Sequence, residues 1–327
     1  MTGRILDSSF RPDPFVRGGH LQTIVAAMLR SAPVVAWRWE RLELPDGDFL
    51  DLAWYGREPG AGPLVVLLHG LGGGPDSPYI RDQAAGFAAA GVPVVVMCFR
   101  GCSGEPNRLP RSYHSGETED LGHVLVRLRQ RLPAARLVAV GFSLGGNVLL
   151  KYLGEQADSA PLDAGVAVSV PLQLGPCARK LSEGFSRAYR GHLLRKLHAG
   201  VRAKADVLAP VVDVPAVLAC RDFESFDGRL TAPLHGFASA EDYYERCSSR
   251  PFLKHIARPT LVVQAVDDPF MPSSVLPGED ELSAAVSLEL SATGGHVGFV
   301  ESGCRPWLPG RVRSWLESGG VLEPTHP

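Results

Sequence analysis

The 327-residue chain has little lysine, no closely paired cysteines and no long apolar run. Its formal net charge is −2, so no excess of positive charge points to nucleic acid as a partner. None of its six cysteines has CxxC spacing, which favours reduced thiols in a cytoplasmic protein. The N-terminus shows no cationic start followed by an apolar stretch, and no run of about 18 apolar residues occurs. We therefore expect neither a signal peptide nor a membrane-spanning helix.

Apolar runs alternate along the chain with segments of helical character. The first pair, from Trp37 to Tyr55, is a predicted hairpin that turns at Asp46-Gly47. Later runs are apolar throughout, as is typical of parallel strands covered on both faces, and span residues 64–68, 92–98, 137–140, 166–170, 260–266 and 286–290. Helices are predicted over residues 79–90, 120–131, 145–155 and 309–316. This alternation predicts an α/β fold with a mostly parallel central sheet flanked by helices.

The alternation stops between Pro171 and Lys254, where helical, charge-rich segments and loops take over. It resumes with the run that begins at Thr260. We therefore predict a core made of residues 1–170 and 256–320, with a helical cap inserted at 171–255. The last residues, 321–327, are expected to form a disordered tail.

The predicted cap contains a basic amphipathic segment. Residues 177–205 carry eight basic side chains and a single acidic one, Glu183. Apolar residues recur every four positions from Leu181 to Val201, which predicts a helix interrupted at Gly191. Such a stripe ordinarily faces a core while the basic face is solvated. The alternative is that the basic face meets anionic lipid in a peripheral membrane contact.

The segment Gly141-Phe142-Ser143-Leu144-Gly145 matches the pattern G-x-S-x-G. A chance match is the alternative, because the chain contains 36 glycines. A predicted strand precedes the segment and a predicted helix follows it, as in the sharp turn that exposes a nucleophilic serine. We therefore predict that Ser143 is a covalent nucleophile.

A serine hydroxyl needs a base, and the base needs a carboxylate that orients it. His296 follows the last predicted strand in a glycine-rich loop, so it can reach the nucleophile. Asp267 and Asp268 directly follow the strand that ends near Val266. We favour Asp268 because a D-P-hydrophobic-x-P turn commonly carries the acid in α/β-hydrolases. Ser143, Asp268 and His296 then occur in the chain order of α/β-hydrolases.

The loop His69-Gly70-Leu71-Gly72-Gly73-Gly74 follows the first long buried strand. The N–H groups of Leu71 and Leu144 are the predicted donors to a developing oxyanion. A nucleotide-binding loop is disfavoured, because Pro75 stands where G-x-G-x-x-G requires its third glycine, and no Gly-Lys-Ser/Thr follows. No HExxH motif and no Cys/His cluster at ligand spacing occurs, so we expect neither a metal nor a cofactor.

The segment FRGCSGEPNRLPRSYHSGETED, residues 99–120, closely resembles the long loop of the YheT-like α/β-hydrolases, a bacterial group related to eukaryotic acylglycerol lipases and esterases. The segments at 19–23 (GHLQT), 77–79, 243–244, 267–270 and 294–299 also resemble that family. The resemblance implies a Ser/Asp/His hydrolase of carboxylic esters, and it supports the assignment of Ser143, Asp268 and His296.

Arg100, His114 and Glu117 lie in this loop at the predicted catalytic edge. They could bind substrate, but we favour a hydrogen-bond and ion-pair network that orders the loop. His20 is similarly assigned to packing or capping.

The leading prediction is a serine hydrolase that cleaves acyl-chain esters through an acyl-enzyme on Ser143. Its partner is then a small-molecule ester that carries an acyl chain. Two alternatives remain open: acyl transfer to an alcohol by the same triad, and a binding protein without catalytic activity on the same fold. The oligomeric state is not predicted by the sequence.

Overall fold

A computed structural model of the protein describes residues 2–322. The tail predicted to be disordered lies outside the described residues from position 323 onward. The strands are β1 (Arg4–Asp7), β2 (Arg38–Glu43), β3 (Phe49–Tyr55), β4 (Leu64–Leu68), β5 (Val94–Met97), β6 (Leu137–Phe142), β7 (Ala164–Val168), β8 (Thr260–Ala265), β9 (Val286–Ser291), β10 (Val300–Glu301) and β11 (Arg305–Pro306).

Helices alternate with these strands and also fill the segment between β7 and β8. The α-helices are α1 (Gly19–Ile24), α2 (Pro78–Ala89), α3 (Thr118–Arg131), α4 (Leu144–Gln156), α5 (Leu174–Lys180), α6 (Ser186–Ala203), α7 (Ala205–Leu208), α8 (Val214–Leu218), α9 (Phe223–Phe226), α10 (Ala232–His235), α11 (Ala240–Cys247) and α12 (Leu308–Ser318). A π-helical turn, Val25–Leu29, continues α1, and a second one, Asp227–Thr231, joins α9 to α10.

Nine strands form one sheet in the order β1-β9-β8-β7-β6-β4-β5-β3-β2. The pairs from β1 to β5 along this order are parallel, whereas β3 pairs antiparallel with both β5 and β2. The predicted α/β-hydrolase fold and the predicted hairpin are therefore confirmed. The small pair β10 and β11 forms a separate two-stranded ladder.

The central strands are buried over their whole length because helices cover both faces of the sheet. Every residue of β4, β6, β7 and β8 is buried. Alternate residues of each strand belong to two different hydrophobic clusters, one on either side of the sheet. This two-sided burial explains why these strands read as continuous apolar runs in the sequence.

The edge strand β1 has no counterpart among the predicted strands. Its four residues, RILD, pair in parallel with β9, and Ile5 lies opposite Leu288. Its side chains are exposed or half-buried, so the segment lacks the apolar run that marked the inner strands. The pairing therefore depends on a partner 283 positions away, which local sequence cannot reveal.

The helices α6 to α9 form their own apolar cluster rather than extending the core of the sheet, and α5 and α11 contribute to a smaller separate one. The buried members of the larger cluster include Leu194, Val201, Val217, Phe223 and Phe226. The predicted interruption at Gly191 is wrong, because α6 continues through this residue. Leu253, near the end of the inserted segment, instead packs with the core on one face of the sheet.

None of the helices in the described part of the chain combines the length and the apolarity needed to cross a bilayer.

Candidate active site

Ser143 occupies the sharp turn between β6 and α4. Its backbone dihedrals are φ 52° and ψ −118°, a conformation that residues other than glycine rarely adopt. A Cβ at Gly141 would lie 2.4 Å from the carbonyl oxygen of Gly145, and one at Gly145 would lie 2.6 Å from that of Leu68. Glycine at both positions therefore lets α4 approach the sheet and hold the turn.

His296 lies between the predicted nucleophile and the predicted acid. Its Nε2 lies 3.0 Å from Ser143 Oγ, and its Nδ1 lies 2.9 Å from Asp268 Oδ2. An ionised carboxylate only accepts hydrogen bonds, so Nδ1 carries the proton and Nε2 accepts from the serine hydroxyl. The arrangement is that of a serine activated by an oriented base.

The two neighbouring aspartates have different partners. Asp268 is buried, and its second oxygen, Oδ1, accepts the N–H of Phe270 at 2.8 Å. Asp267 points elsewhere: its Oδ1 accepts the N–H of Gly295 at 2.9 Å, and burial raises the pKa of this carboxyl group. The structure thus brings Asp268 to the histidine and leaves Asp267 as a support for the histidine loop.

The N-terminal segment holds the histidine loop in place, a role that was not predicted. Thr23 Oγ1 accepts the N–H of His296 at 2.9 Å and donates to the carbonyl of Gly19 at 2.7 Å. The side chain of Gln22 is buried and bonds both backbone groups of Val300. The sequence of residues 19–23 (GHLQT) resembles the family, but it does not indicate which residues this segment contacts.

An aromatic stack extends outward from the histidine. The ring of Phe270 lies parallel to that of His296, with 3.9 Å between centroids and 5° between planes. The rings of Tyr189 on α6 and Phe270 lie 5.0 Å apart, and His20 bonds the Tyr189 hydroxyl through Nδ1 at 3.1 Å. His20 therefore packs at the surface, as predicted, and does not touch Ser143 or Asp268 through any hydrogen bond of the described residues.

The loop that carries Leu71 lies directly beside the serine. A Cβ at Gly70 would stand 3.2 Å from Ser143 Cβ. Within residues 2–322, neither the Leu71 N–H nor the Leu144 N–H donates to another protein group. Both residues border the cavity into which Ser143 opens. The two N–H groups are thus free to bind an oxygen of a ligand.

Three aromatic side chains fix this loop from below. Tyr79 Oη and Tyr113 Oη accept the N–H groups of Gly70 and Gly72, each at 2.8 Å. His69 is fully buried, which lowers its pKa to about 4, so the ring is neutral at pH 7. Its Nδ1–H donates to the Gly70 carbonyl at 2.9 Å and its Nε2 accepts the Phe99 N–H at 3.2 Å.

Arg100 orders the loop at 99–120 from inside the protein. Its guanidinium group binds both oxygens of Asp120 at 2.7 Å and also contacts Asp48 at 3.0 Å and Asp46 at 2.8 Å. Arg100, Asp48 and Asp120 are all buried. This geometry matches the loop-ordering role that we favoured over substrate binding.

His114, Glu117 and His235 place three potential ligand atoms within 4.8 Å of one another. The Gly116 N–H donates to His114 Nδ1 at 3.1 Å, so the ring proton lies on Nε2, the nitrogen that faces Glu117 at 3.7 Å. Arg111 already binds both oxygens of Glu117, at 3.1 and 2.9 Å. The guanidinium group thus already neutralises the one carboxylate that a cation would need, so the cluster fits an ion-paired group better than a metal site.

Comparisons with known proteins identify the family of this chain. The family described as alpha/beta hydrolase fold matches residues 63–302. The protein named "Putative esterase YheT" from Escherichia coli (strain K12) is 42% identical over 304 residues, which cover 91% of this chain and 89% of that protein. This chain belongs to the α/β-hydrolase family.

Two further matches extend the comparison. The phospholipase ABHD3 of Homo sapiens is 30% identical over 306 residues, which cover 91% of the hydrolase and 75% of that protein. The solved structure of the Pyrococcus furiosus esterase Pf2001 superposes with a TM-score of 0.58 at 15% identity, over 88% of the hydrolase and 98% of that chain. At 15% identity, the match to this esterase structure shows similarity of fold alone.

Ser143 and His296 open into a cavity of about 720 Å³. The inserted helices contribute much of its wall, which is largely apolar and includes Leu174, Leu193, Leu197, Phe223 and Phe226. The N-terminal segment supplies another part of the wall. A cavity of this size and lining suits an elongated apolar group next to the serine.

The half-buried carboxyl group of Asp227 also lines the cavity and was not predicted. It accepts hydrogen bonds from the hydroxyl groups of Thr231 at 2.7 Å and Tyr244 at 2.8 Å. Removal from water raises its pKa from 3.8 to about 6. The sequence placed Asp227 in a charge-rich helical segment, where nothing distinguished it from solvated aspartates.

Replacing Arg100 with methionine should destabilise the fold by about 3–5 kcal/mol, because it leaves the buried Asp48 and Asp120 without their partner. Arg100→Lys should recover only part of this loss, since an ammonium group cannot bind Asp120 through two parallel hydrogen bonds. Urea unfolding followed by far-ultraviolet circular dichroism measures both. A loss below about 1 kcal/mol for Arg100→Met would contradict the network.

Asp227 should make stability depend on pH in a defined window. Its carboxyl has a higher pKa folded than unfolded, so the stability linked to its proton is complete below pH 4 and is lost as pH rises to about 6. The free energy of unfolding of the wild type, relative to Asp227→Asn, should therefore fall by about 3 kcal/mol across this range and stay level above it. Urea titrations at several pH values measure this difference.

Asp206→Asn, a substitution of an exposed residue, is the matched control. Its free energy of unfolding should differ from that of the wild type by the same amount at every pH in this range. If the stability of Asp227→Asn varied with pH in parallel with that of the wild type, the raised pKa of Asp227 would be contradicted.

Proposed function

We propose that this α/β-hydrolase cleaves acyl-chain esters by forming a covalent acyl-enzyme on Ser143. The chain is a carboxylic ester hydrolase by its family, whose matched members are named as an esterase and a phospholipase. The mechanism rests on one observation, the pair of hydrogen bonds that joins Asp268 to His296 and His296 to Ser143.

In the first half of the proposed reaction, Ser143 Oγ attacks the acyl carbonyl carbon and its proton passes to His296 Nε2. Asp268 stabilises the imidazolium that forms and keeps Nδ1 protonated. The tetrahedral intermediate then collapses, the bond to the alcohol breaks, and His296 returns the proton to the leaving oxygen. The product of this half is an ester on Ser143.

In the second half, a water molecule attacks the acyl-enzyme. His296 takes a proton from the water, and the collapse of the second tetrahedral intermediate restores the Ser143 hydroxyl and releases the carboxylic acid.

The negative oxygen of both intermediates would bind the N–H groups of Leu71 and Leu144. Their lack of other protein partners within residues 2–322 supports this role. Each such donor typically contributes roughly 2.7–4 kcal/mol of transition-state stabilisation. The hydrogen bonds from Gly70 and Gly72 to two tyrosines keep the loop in position before the substrate arrives.

The apolar wall of the cavity supports an acyl chain as the group beside the serine. Burying a chain against side chains such as Leu193 and Phe226 gains free energy in proportion to the area removed from water, roughly 25 cal/mol per Å². A sugar or a peptide would leave polar groups unpaired against this wall.

The adjacent aspartates provide a sharp test. Asp268→Asn should lower kcat for a soluble p-nitrophenyl ester by about 10⁴-fold, because an amide favours the wrong tautomer of His296. Asp267→Asn is the matched control and should retain most activity, since its side chain still accepts the Gly295 N–H. Steady-state kinetics with both variants measures the contrast, and equal losses would contradict the assignment of Asp268.

A further inference from the structure

The mouth of the cavity lies between two segments that are distant in sequence. One is the N-terminal segment at residues 24–30, which contributes Met28 to the lining. The other consists of α6, which contributes Lys196, and the residues just before it, which contribute Phe185. All three side chains are exposed as well as lining the cavity. The rings of Phe185 and His20 lie 5.0 Å apart, so the two segments touch. We call these two segments, residues 15–34 and 184–203, the rim.

Exposed apolar side chains are concentrated on the rim. Of eleven large apolar side chains that are exposed in the described part of the chain, six belong to it: Phe15, Leu21, Met28, Leu29, Val34 and Phe185. Met28 and Leu29 are 75% and 73% exposed at adjacent positions. Scattered apolar residues are normal on a protein surface, but a concentration beside a binding cavity marks an interaction site.

The rim is also free of acidic residues. No aspartate or glutamate occurs from position 14 to 39 or from 184 to 205, although the whole chain has a net charge of −2. Arg187, Arg195 and Arg202 are exposed, and none of them forms an ion pair within residues 2–322. The rim therefore presents unpaired positive charge next to exposed apolar groups.

We propose that the rim docks the hydrolase onto an anionic lipid surface. Arginines attract anionic head groups, and apolar side chains such as Leu29 enter the boundary between head groups and acyl chains. An acidic protein would satisfy the arginines alone, whereas a lipid surface also accounts for the exposed apolar side chains at the mouth. The proposal rests on the proposed function in one respect: the docked mouth would receive acyl esters directly from the lipid phase.

The docking test uses the full chain with Ser143→Ala, so that no lipid is consumed. Co-sedimentation compares vesicles of phosphatidylcholine with vesicles that also contain phosphatidylglycerol. We expect partitioning to be at least about ten-fold stronger on the anionic vesicles and to weaken as sodium chloride is added. Equal partitioning on both vesicles, or none on either, would overturn the proposal.

Two rim substitutions and one matched control locate the contact. Arg187→Gln should weaken partitioning about five-fold, and Leu29→Ser should weaken it by about three-fold or more. The double substitution Val126→Ser with Arg127→Gln changes exposed residues of α3, which does not line the cavity, and should have no effect. Equal effects of rim and α3 substitutions would also overturn the proposal.

The same substitutions are also made with Ser143 intact, and these variants are assayed with soluble p-nitrophenyl butyrate. This assay separates docking by the rim from ester hydrolysis at Ser143. Leu29 and Arg187 do not line the cavity, so kcat/KM for this ester should stay within about two-fold of the wild type. Normal hydrolysis with reduced vesicle binding supports docking by the rim. A large loss of kcat/KM in these two variants would contradict a rim that acts only in docking, whereas absent hydrolysis in the wild type would contradict the proposed function and leave the docking result standing.

Discussion

The hydrogen bond between Ser143 Oγ and His296 Nε2 is the contact on which the proposed chemistry depends. It requires three chain segments to meet at one edge of the sheet: the turn after β6, the loop after β9, and the turn after β8 that brings Asp268. Parallel strands make this possible, because their carboxyl ends share one edge. The fold thus creates a site from residues that are distant in the chain, since Ser143 and His296 are 153 positions apart.

The surrounding residues limit how far this contact can relax. Thr23 and Asp267 bind the backbone of the histidine loop, while Phe270 covers one face of the imidazole ring. On the other side of Ser143, two tyrosines hold the loop of Leu71. A side chain that is kept in one rotamer by packing and hydrogen bonds needs little reorganisation during reaction. These supports come from α1, α2, the loop after β8 and the loop before α3, so much of the fold contributes to one geometry.

The sequence was most informative where a residue type is dictated by backbone geometry or by continuous burial. The inner strands appeared as apolar runs, and the glycines around Ser143 appeared as a pattern, because only glycine fits there. The same reasoning distinguished Asp268 from Asp267 only through a familiar turn. It could not find β1 or Thr23, since each acquires its role from a partner far along the chain. It could not find Asp227 either, because the role of this residue depends on its place in the cavity wall beside Tyr244. Gly191 misled the prediction in the opposite direction. Glycine locally favours the end of a helix, but α6 continues through this residue because the helix packs against its neighbours.

We propose that the folded protein activates Ser143 as a nucleophile, and labelling with a fluorophosphonate probe tests this role most directly. Intact-mass and peptide mass spectrometry would follow the wild type, Ser143→Ala and the urea-unfolded chain. We expect one probe per folded wild-type molecule, attached to Ser143, and no labelling of the other two samples. A folded wild type that stays unlabelled, or that carries the probe on another residue while Ser143 is free, would contradict it.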